Sequence, residues 1–402
     1  MPQKKDILIQ NLLTKGVSRI IDREHLEEQL RSDKKLRIKF GIDPTGTVVH
    51  IGHAVPILKL RAFQELGHQI VLIIGDSTAQ VGDTSDKDAE RPMLKREETR
   101  KNAENYLAQF GKILDLSKLE VHYNSEWMDT TNFNTVGELA KNFSVAEMLD
   151  RDNFSKRFKA GIRISLQEFL YPIMQGWDNV QVKADVEVGG NDQYFNLLAG
   201  RPLQEVYGQS KQAIMTFNLI EGTDGRKMSK TYKNFIGLSD APNDMFVKIM
   251  EIKDELILLY FIHCTTLLLS EIEPYKARLL SDENPKYIKM DLASIIVSLY
   301  HGEEAAIAGK VYFEKVLTDG IVPSEEEIEK AYLDTKEIDL GNLLKEIKLC
   351  ATTGDVKNAL SGGSIRVNNE VVSDSKMMIS LSSEKGILIQ MGKKKFRNVF
   401  LK

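Results

Sequence analysis

The chain has 402 residues, 42% hydrophobic and 28% charged, with a formal net charge of −4, which suits an ordinary globular protein of two or three domains. Its two cysteines, Cys264 and Cys350, stand far apart with no CxxC pair, which argues against a disulfide framework or structural zinc and fits a reducing cytoplasm. The longest apolar run, around 256–264, contains His263 and is too short to span a bilayer, and residues 1–15 lack the apolar core of a signal peptide.

Residues 4–21 read as a lead-in helix, followed by a charged stretch, 22–35, with no evident chemistry. From Leu36 to Ile42 apolar residues alternate as in a strand. Val55, Leu58, Ala62, Phe63 and Leu66 then recur at helical spacing up to Gly67, a natural stop, and 70–74 reads as a second strand. Strand, turn, helix and strand make a βαβ unit of a parallel sheet. Its turn, GIDPTGTVVHIGH over 41–53, carries two histidines and a helix start whose N–H groups attract phosphate. The carboxyl ends of parallel strands are where such sheets bind ligands. Gly41-x4-Gly46 begins like a P-loop, but Thr47 stands where lysine is required, and no GxGxxG follows either strand. His50 and His53 have feasible metal spacing, yet no nearby Cys, Glu or third His completes a set. Phosphate is the use that remains.

The second strand runs into GDSTAQVGD, residues 75–83, another polar loop of small residues at a strand end. Lys87 and Arg91, four apart, can share a helix face that meets an anion or is simply solvated. Residues 96–114 read as a helix and 119–123 as a short strand followed by Asn124-Ser125. The stretch 143–161 is helical, and its Arg151, Lys156, Arg157 and Lys159 read as solvated surface before an RNA contact. Tyr171, Gln175 and Asp178 are four and three apart, on one helix face. Among apolar neighbours this triad fits either a satisfied internal hydrogen-bond network or the wall of a ligand pocket. Residues 182–188 read as a strand entering GGNDQ, 189–193. Its glycines allow close backbone approach to a ligand met by Asp192 and Gln193, or else a tight turn with a capped helix.

EGTDGRKMSKT, residues 221–231, places Lys227 and Lys230 around small polar residues, a pattern for a mobile phosphate clamp. Residues 244–298 are densely helical, and 319–340, acidic with a proline, read as a linker. The last segment, 341–402, holds 11 Lys/Arg against 5 Asp/Glu, net +6, so the remaining 340 residues carry −10. A basic module on an acidic body points to an anionic partner, RNA or DNA before membrane. Ile365, Val367, Val371, Val372, Ile387, Leu388 and Ile389 read as its strand cores.

His50-Ile51-Gly52-His53 and Lys227-Met228-Ser229-Lys230-Thr231, in this order around a βαβ-type region, resemble the two signatures of class I aminoacyl-tRNA synthetases. GIDPT before the first, and Tyr171, Gln175 and Asp178 with GGNDQ before the second, narrow the likeness to the tyrosyl-tRNA synthetase family. The stretch TTGDVKNALSGGSIRVNNEVV resembles the S-four-like RNA-binding domain that ends bacterial members. The resemblance covers essentially the whole chain. It implies an α/β fold with a Rossmann-like parallel-sheet catalytic domain over 1–225 and an α-helical anticodon-side domain over 226–320. An acidic linker, 321–340, and a small α+β S-four-like RNA-binding domain, 341–402, would follow.

The activity implied is that of a cytoplasmic tyrosine–tRNA ligase. ATP and tyrosine give tyrosyl-adenylate and pyrophosphate, and tyrosine then passes to the 3′ end of tRNA(Tyr). The attacking carboxylate is already ionised, so no general base or enzyme nucleophile is needed; positioning and charge stabilisation suffice. By the resemblance, Thr45 and His50 hold the γ-phosphate side, while Lys87, Arg91, Lys227 and Lys230 neutralise it from mobile loops. Gly52 and His53 lie beneath the nucleotide, Gly190 beside it, and Asp192 accepts from the ribose. Asp83, Tyr171 and Gln175 receive the tyrosine ammonium, Gln193 its carboxylate and Asp178 the phenolic proton. Lys39 stands where many bacterial relatives carry a tyrosine that touches the substrate hydroxyl. With the KMSK spelling it matches a second bacterial subgroup, and it joins the tyrosine subsite, where the second partner of Asp178 stays open. Mg2+ accompanies ATP without a dedicated protein cage, and a homodimer is implied, with no membrane or DNA partner. The rival readings are a tryptophanyl enzyme and an inactive synthetase-like RNA-binding protein. GGNDQ, Asp178 and the basic module stand against the first; His50, Gly52, His53, Lys227 and Lys230 stand against the second.

Overall fold

The computed structural model describes residues 2–83, 94–228, 232–281, 283–318, 328–392 and 395–402. Lys87, Arg91 and Lys230 lie outside the described residues, as does 319–327 of the expected linker. The chain divides into two compact units, 1–240 with 248–300, and 241–247 with 301–402.

The first unit is built on a six-stranded sheet: β1 (Val17–Ile21), β2 (Arg37–Ile42), β3 (Gln69–Ile74), β4 (Leu119–Tyr123), β5 (Val186–Gly190) and β6 (Ala213–Phe217). The order is β1-β6-β5-β2-β3-β4. All neighbours are parallel except β1, which runs antiparallel to β6. Five of the six residues of β3, QIVLII, are buried, as expected of a parallel strand covered on both faces. From β2 the chain proceeds to β3 and β4 on one side, whereas β5 and β6 lie on the other. The connections leaving β2 and β5 therefore part, and a crevice opens at their carboxyl ends.

Three local readings of the sequence change. Residues 4–21 form a helix, Pro2–Thr14, and then β1. Gly16, at φ 64°, ends the helix, and the β-branched Val17, Ile20 and Ile21 suit an edge strand. At 182–188 the helix Leu166–Val182 runs on to Val182, stops at left-handed Lys183, and β5 begins at Val186. The basic stretch 151–159 is only partly solvated. Arg157 is buried and bidentate to Glu168, at 2.5 and 3.0 Å, and Glu168 also closes the capping box of the helix Leu166–Val182. Arg151, also buried, lies 4.9 Å over the Phe154 ring and 4.7 Å over that of Phe195.

The second unit contains β7 (Lys330–Leu333), β8 (Glu337–Asp339), β9 (Ile365–Val367), β10 (Glu370–Val371), β11 (Met378–Ser380), β12 (Ile387–Met391) and β13 (Lys395–Leu401). They form a sheet ordered β10-β9-β12-β13-β7 and a separate pair, β8 with β11. The stretch expected as a linker up to 340 thus supplies two strands. β7 lies parallel to β13, with Ala331 opposite Val399, so the ordered module begins ahead of residue 341. The helices Leu340–Glu346 and Thr353–Ser361 pack Leu343, Leu344, Val356 and Leu360 against Ile365 and Ile389. Val371, read as core, is 56% exposed, because β10 is the sheet's edge.

The helix Leu166–Val182 meets the helix Gly200–Val206 at Gly176, where an added Cβ would lie 2.8 Å from the Ala199 carbonyl oxygen. Backbone cannot yield as a side-chain tip can. Gly176→Ala is expected to destabilise the first unit by about 1–3 kcal/mol, read as a lowered Tm in calorimetry.

Candidate active site

A cavity of about 720 Å³ occupies the crevice between β2 and β5. Its walls bring together Thr45, His50, Gly52, His53, Asp83, Tyr171, Gln175, Asp178, Gly190, Asp192, Gln193 and Lys227. These residues leave the carboxyl ends of β2, β3 and β5, project from the face of the helix Leu166–Val182, or enter from the loop after β6. Every expected site residue that is described therefore lines one cavity, with Lys39 as the exception.

At one side, His50 caps the helix Ile51–Glu65 and His53 occupies its third position. The two rings stack at 3.7 Å between centroids. The His50 backbone N–H donates to His53 Nδ1 at 3.2 Å, which places the His53 ring proton on Nε2 as a donor. A Cβ on Gly52 would lie 2.9 Å from His50 Nδ1, so the glycine keeps this face open. Backbone bonds of 2.9 Å from Ile51 to the Ile236 carbonyl and from Leu238 to that of Val49 pin the histidine turn to the chain after Lys227. Asn234 gathers that loop, donating to Asp224 and to the carbonyls of Arg226 and Lys227. The Asp224 carboxyl is held far below its usual range, first by the Asn234 hydrogen bond.

At the other side, Tyr171 and Asp178 of the polar triad belong to a longer chain of hydrogen bonds, while Gln175 Nε2 donates to Glu187 Oε1 at 3.0 Å. The Tyr171 hydroxyl donates to Asp43 Oδ2 at 3.0 Å, and Thr78 Oγ1 donates to Asp43 Oδ1 at 2.8 Å. Asn124 Nδ2 donates to Thr78 Oγ1 at 3.1 Å and reaches Asp178 Oδ2 at 3.5 Å. Trp127 Nε1 donates to Asp178 Oδ1 at 2.8 Å. A Cβ on Gly75 would lie 1.9 Å from Asp43, so only glycine permits this approach. Burial pushes the Asp178 carboxyl up to about 7, against the pull of the Lys39 charge and of the Trp127 and Asn124 hydrogen bonds. Burial also lifts the Tyr171 phenol well above its usual value, which keeps it a donor. Both readings of the triad hold: it is an internal network and it faces a cavity. Nearby, Gln193 Nε2 donates to Asp83 Oδ2 at 2.7 Å, and Asn196 Nδ2 donates to Gln193 Oε1 at 3.0 Å.

Lys39 does not line the cavity. It is fully buried, and its ammonium lies 2.5 Å from Glu187 Oε1, with the Gln175 carbonyl at 3.4 Å. β2 and β5 are neighbours with Lys39 opposite Glu187 in the register, so the lysine turns into the sheet's covered face. Its ammonium, expected in the tyrosine subsite, is held by Glu187 instead of facing the cavity. Asp43, Thr78, Trp127, Asn124 and Glu187 were not singled out from the sequence. For Asn124 a signal existed, since it follows a strand at its carboxyl end; for Trp127 and Glu187 there was none.

Residues 31–318 match the family model described as tRNA synthetases class I (W and Y), and residues 331–376 match that of the S4 domain. A tyrosine–tRNA ligase of Thermotoga maritima is 42% identical over 390 residues, 96% of each chain. A tyrosine–tRNA ligase 2 of Vibrio parahaemolyticus is 41% identical, covering 97% of this chain and 98% of its own. Among solved structures, the C-terminally truncated mitochondrial tyrosyl-tRNA synthetase of Aspergillus nidulans shares the fold, with a TM-score of 0.65 at 22% identity, covering 77% of this chain and 93% of its own. The Archaeoglobus fulgidus tyrosyl-tRNA synthetase complexed with L-tyrosine gives 0.61 at 21% identity, with 77% and 99% covered. By these likenesses the chain belongs to the class I tRNA synthetases of the tryptophan and tyrosine group, and within it to the tyrosine–tRNA ligases.

Proposed function

We propose that the cavity holds ATP on the side of His50 and His53 and tyrosine on the side of Asp178, in one continuous space. The observation that carries this reading is Asp178 itself. It is a carboxyl 3% exposed, held by an indole N–H and an amide, and set on the wall of a cavity large enough for a ligand. A buried carboxylate there gains from a further donor, and a phenol is such a donor.

In the first step one tyrosine carboxylate oxygen forms a bond to the α-phosphorus of ATP, and the bond to the bridging oxygen of the pyrophosphate breaks. The electron pair leaves with pyrophosphate, and no proton has to move. Thr45, His50 and Lys227 stabilise the growing charge on the departing group; Lys87, Arg91 and Lys230 are assigned the same role. Mg2+ enters on the ATP phosphates. His53 and Gly52 underlie the nucleotide, Gly190 gives it room, and Asp192 accepts from the ribose. Asp83, Tyr171 and Gln175 take the ammonium, and Gln193 meets the carboxylate. In the second step the adenylate carbonyl is attacked by a hydroxyl of the terminal ribose of tRNA(Tyr), with AMP as the leaving group. The basic C-terminal module is assigned to tRNA, and the helical region before it to the anticodon side.

Two copies of the chain are inferred to associate. Phe133, Val145, Phe158 and Leu166 are 90%, 66%, 64% and 80% exposed. An apolar group of this kind on one stretch of the first unit suits an interface. No described helix is long and apolar enough to cross a membrane, and the cytoplasm is the proposed location.

Pyrophosphate exchange with each of the twenty amino acids is expected to proceed with tyrosine; exchange with tryptophan alone would move the assignment, and none would favour an RNA-binding role. The tyrosine-to-phenylalanine ratio of kcat/KM is expected to depend on the ionised Asp178. It should be steady above pH 7 and fall by up to about tenfold per pH unit below it, since a protonated carboxyl no longer penalises phenylalanine. In Asp178→Asn that slope should vanish. Phe133→Asp with Leu166→Asp should shift sedimentation from dimer to monomer.

A further inference from the structure

Glu187 is a carboxylate 1% exposed, and four side chains donate to it. Lys39 Nζ is at 2.5 Å and Gln175 Nε2 at 3.0 Å from Oε1. Asn179 Nδ2 at 2.8 Å and Gln212 Nε2 at 2.6 Å meet Oε2. Lys39, fully buried beside it, supplies the opposite charge without which a buried carboxylate is costly. Glu187 itself borders the cavity, and of these partners Gln175 lines it too. An ionised carboxylate can accept but not donate. It therefore fixes which end of the Gln175 amide faces inward: the NH2 group turns to Glu187, and Oε1 is the end left for the cavity. A cation offered to that wall finds an acceptor. Were the amide reversed, the same cation would meet N–H donors.

We propose that Lys39 and Glu187 are positioning residues for the amino-acid subsite: their buried ion pair sets the Gln175 amide so that its oxygen receives the substrate's ammonium group. This rests on the reading of Gln175 as an ammonium acceptor. At the ammonium end the pair acts through the Gln175 side chain. The same lysine charge also favours the ionised form of Asp178, a pull that Glu187 opposes, so the buried pair bears on both ends of the subsite. The lysine that replaces a hydroxyl-contacting tyrosine in the sequence thereby acquires a task at the opposite end of the amino acid.

Glu187→Gln keeps the shape but offers a partner that can donate or accept, which lets the Gln175 amide reverse. In the full-length enzyme this variant is expected to raise the KM for tyrosine in pyrophosphate exchange by about tenfold, the loss of one hydrogen bond to a charged group. The KM for ATP should stay within about twofold. The inhibition constant of 3-(4-hydroxyphenyl)propionate, which has no ammonium, should not change. An equal rise in that constant would mean general damage to the pocket and overturn the proposal. Gln175→Met tests the underlying reading. It should raise the KM for tyrosine but not the inhibition constant, and Glu187→Gln added to it should cost nothing more. If Gln175→Met leaves tyrosine unaffected, the ammonium reading fails. If it acts as expected while Glu187→Gln has no effect, or the two effects simply multiply, the positioning role fails. Lys39→Arg, which keeps the cation, should retain most of the affinity for tyrosine, whereas Lys39→Met should raise the KM for tyrosine as Glu187→Gln does and, by removing the charge that favours ionised Asp178, raise the inhibition constant as well; similar affinities in the two lysine variants would remove Lys39 from the device.

Discussion

Parallel strands deliver all their carboxyl ends to one edge of the sheet, and where the strand order reverses, neighbouring connections must part. In this chain the reversal falls between β2 and β5. Everything placed at the cavity follows from it. The histidine turn hangs from β2, the loop with Asp83 from β3 and GGNDQ from β5, while Asn124 and Trp127 after β4 stand behind the wall and hold Asp178. No side chain has to reach far, because the topology has already brought four connections to one place. Shape comes first here, and the chemistry is laid over it.

Placing polar residues at such a spot carries a cost, because each buried polar atom left without a partner loses about 1–3 kcal/mol. The chain meets it with a run of bonds that crosses from the helix Leu166–Val182 to the loops and back: Tyr171 to Asp43, Thr78, Asn124, Asp178 and Trp127. A second cluster forms around Glu187. Rigid partners of this kind hold the groups that face a ligand, so little order remains to be imposed on binding. The cavity wall is thus part of what keeps the first unit together as well as the surface proposed to meet the ligands.

Sequence patterns exposed the βαβ unit, the histidine turn and the triad because each is local: a period, a spacing, a short string. What they did not expose is what folding brings together. Trp127 and Asp178 are 51 residues apart and meet only in three dimensions. Lys39 misled for a different reason. Alternation along β2 normally marks one wet face, but in a parallel strand covered on both sides Ile38, Lys39 and Phe40 are all buried. The lysine had to find a carboxylate inside, and β5 supplied it. The acidic stretch before the basic module likewise concealed β7 and β8, which are four and three residues long, too short for a period to show.

The run of hydrogen bonds through Asp178 has a bearing on how readily this pocket could be turned to another amino acid. A residue that recognises its ligand in isolation can be exchanged in one step, and specificity then drifts easily. Here, altering Asp178 strands an indole N–H, altering Thr78 removes one of the bonds that hold Asp43, and altering Gly75 crowds Asp43 and Thr78. Intermediate sequences would be poorly folded before they were differently selective. If the pocket takes tyrosine as proposed, the groups that meet the side chain are coupled as a block, and such a block resists change one residue at a time.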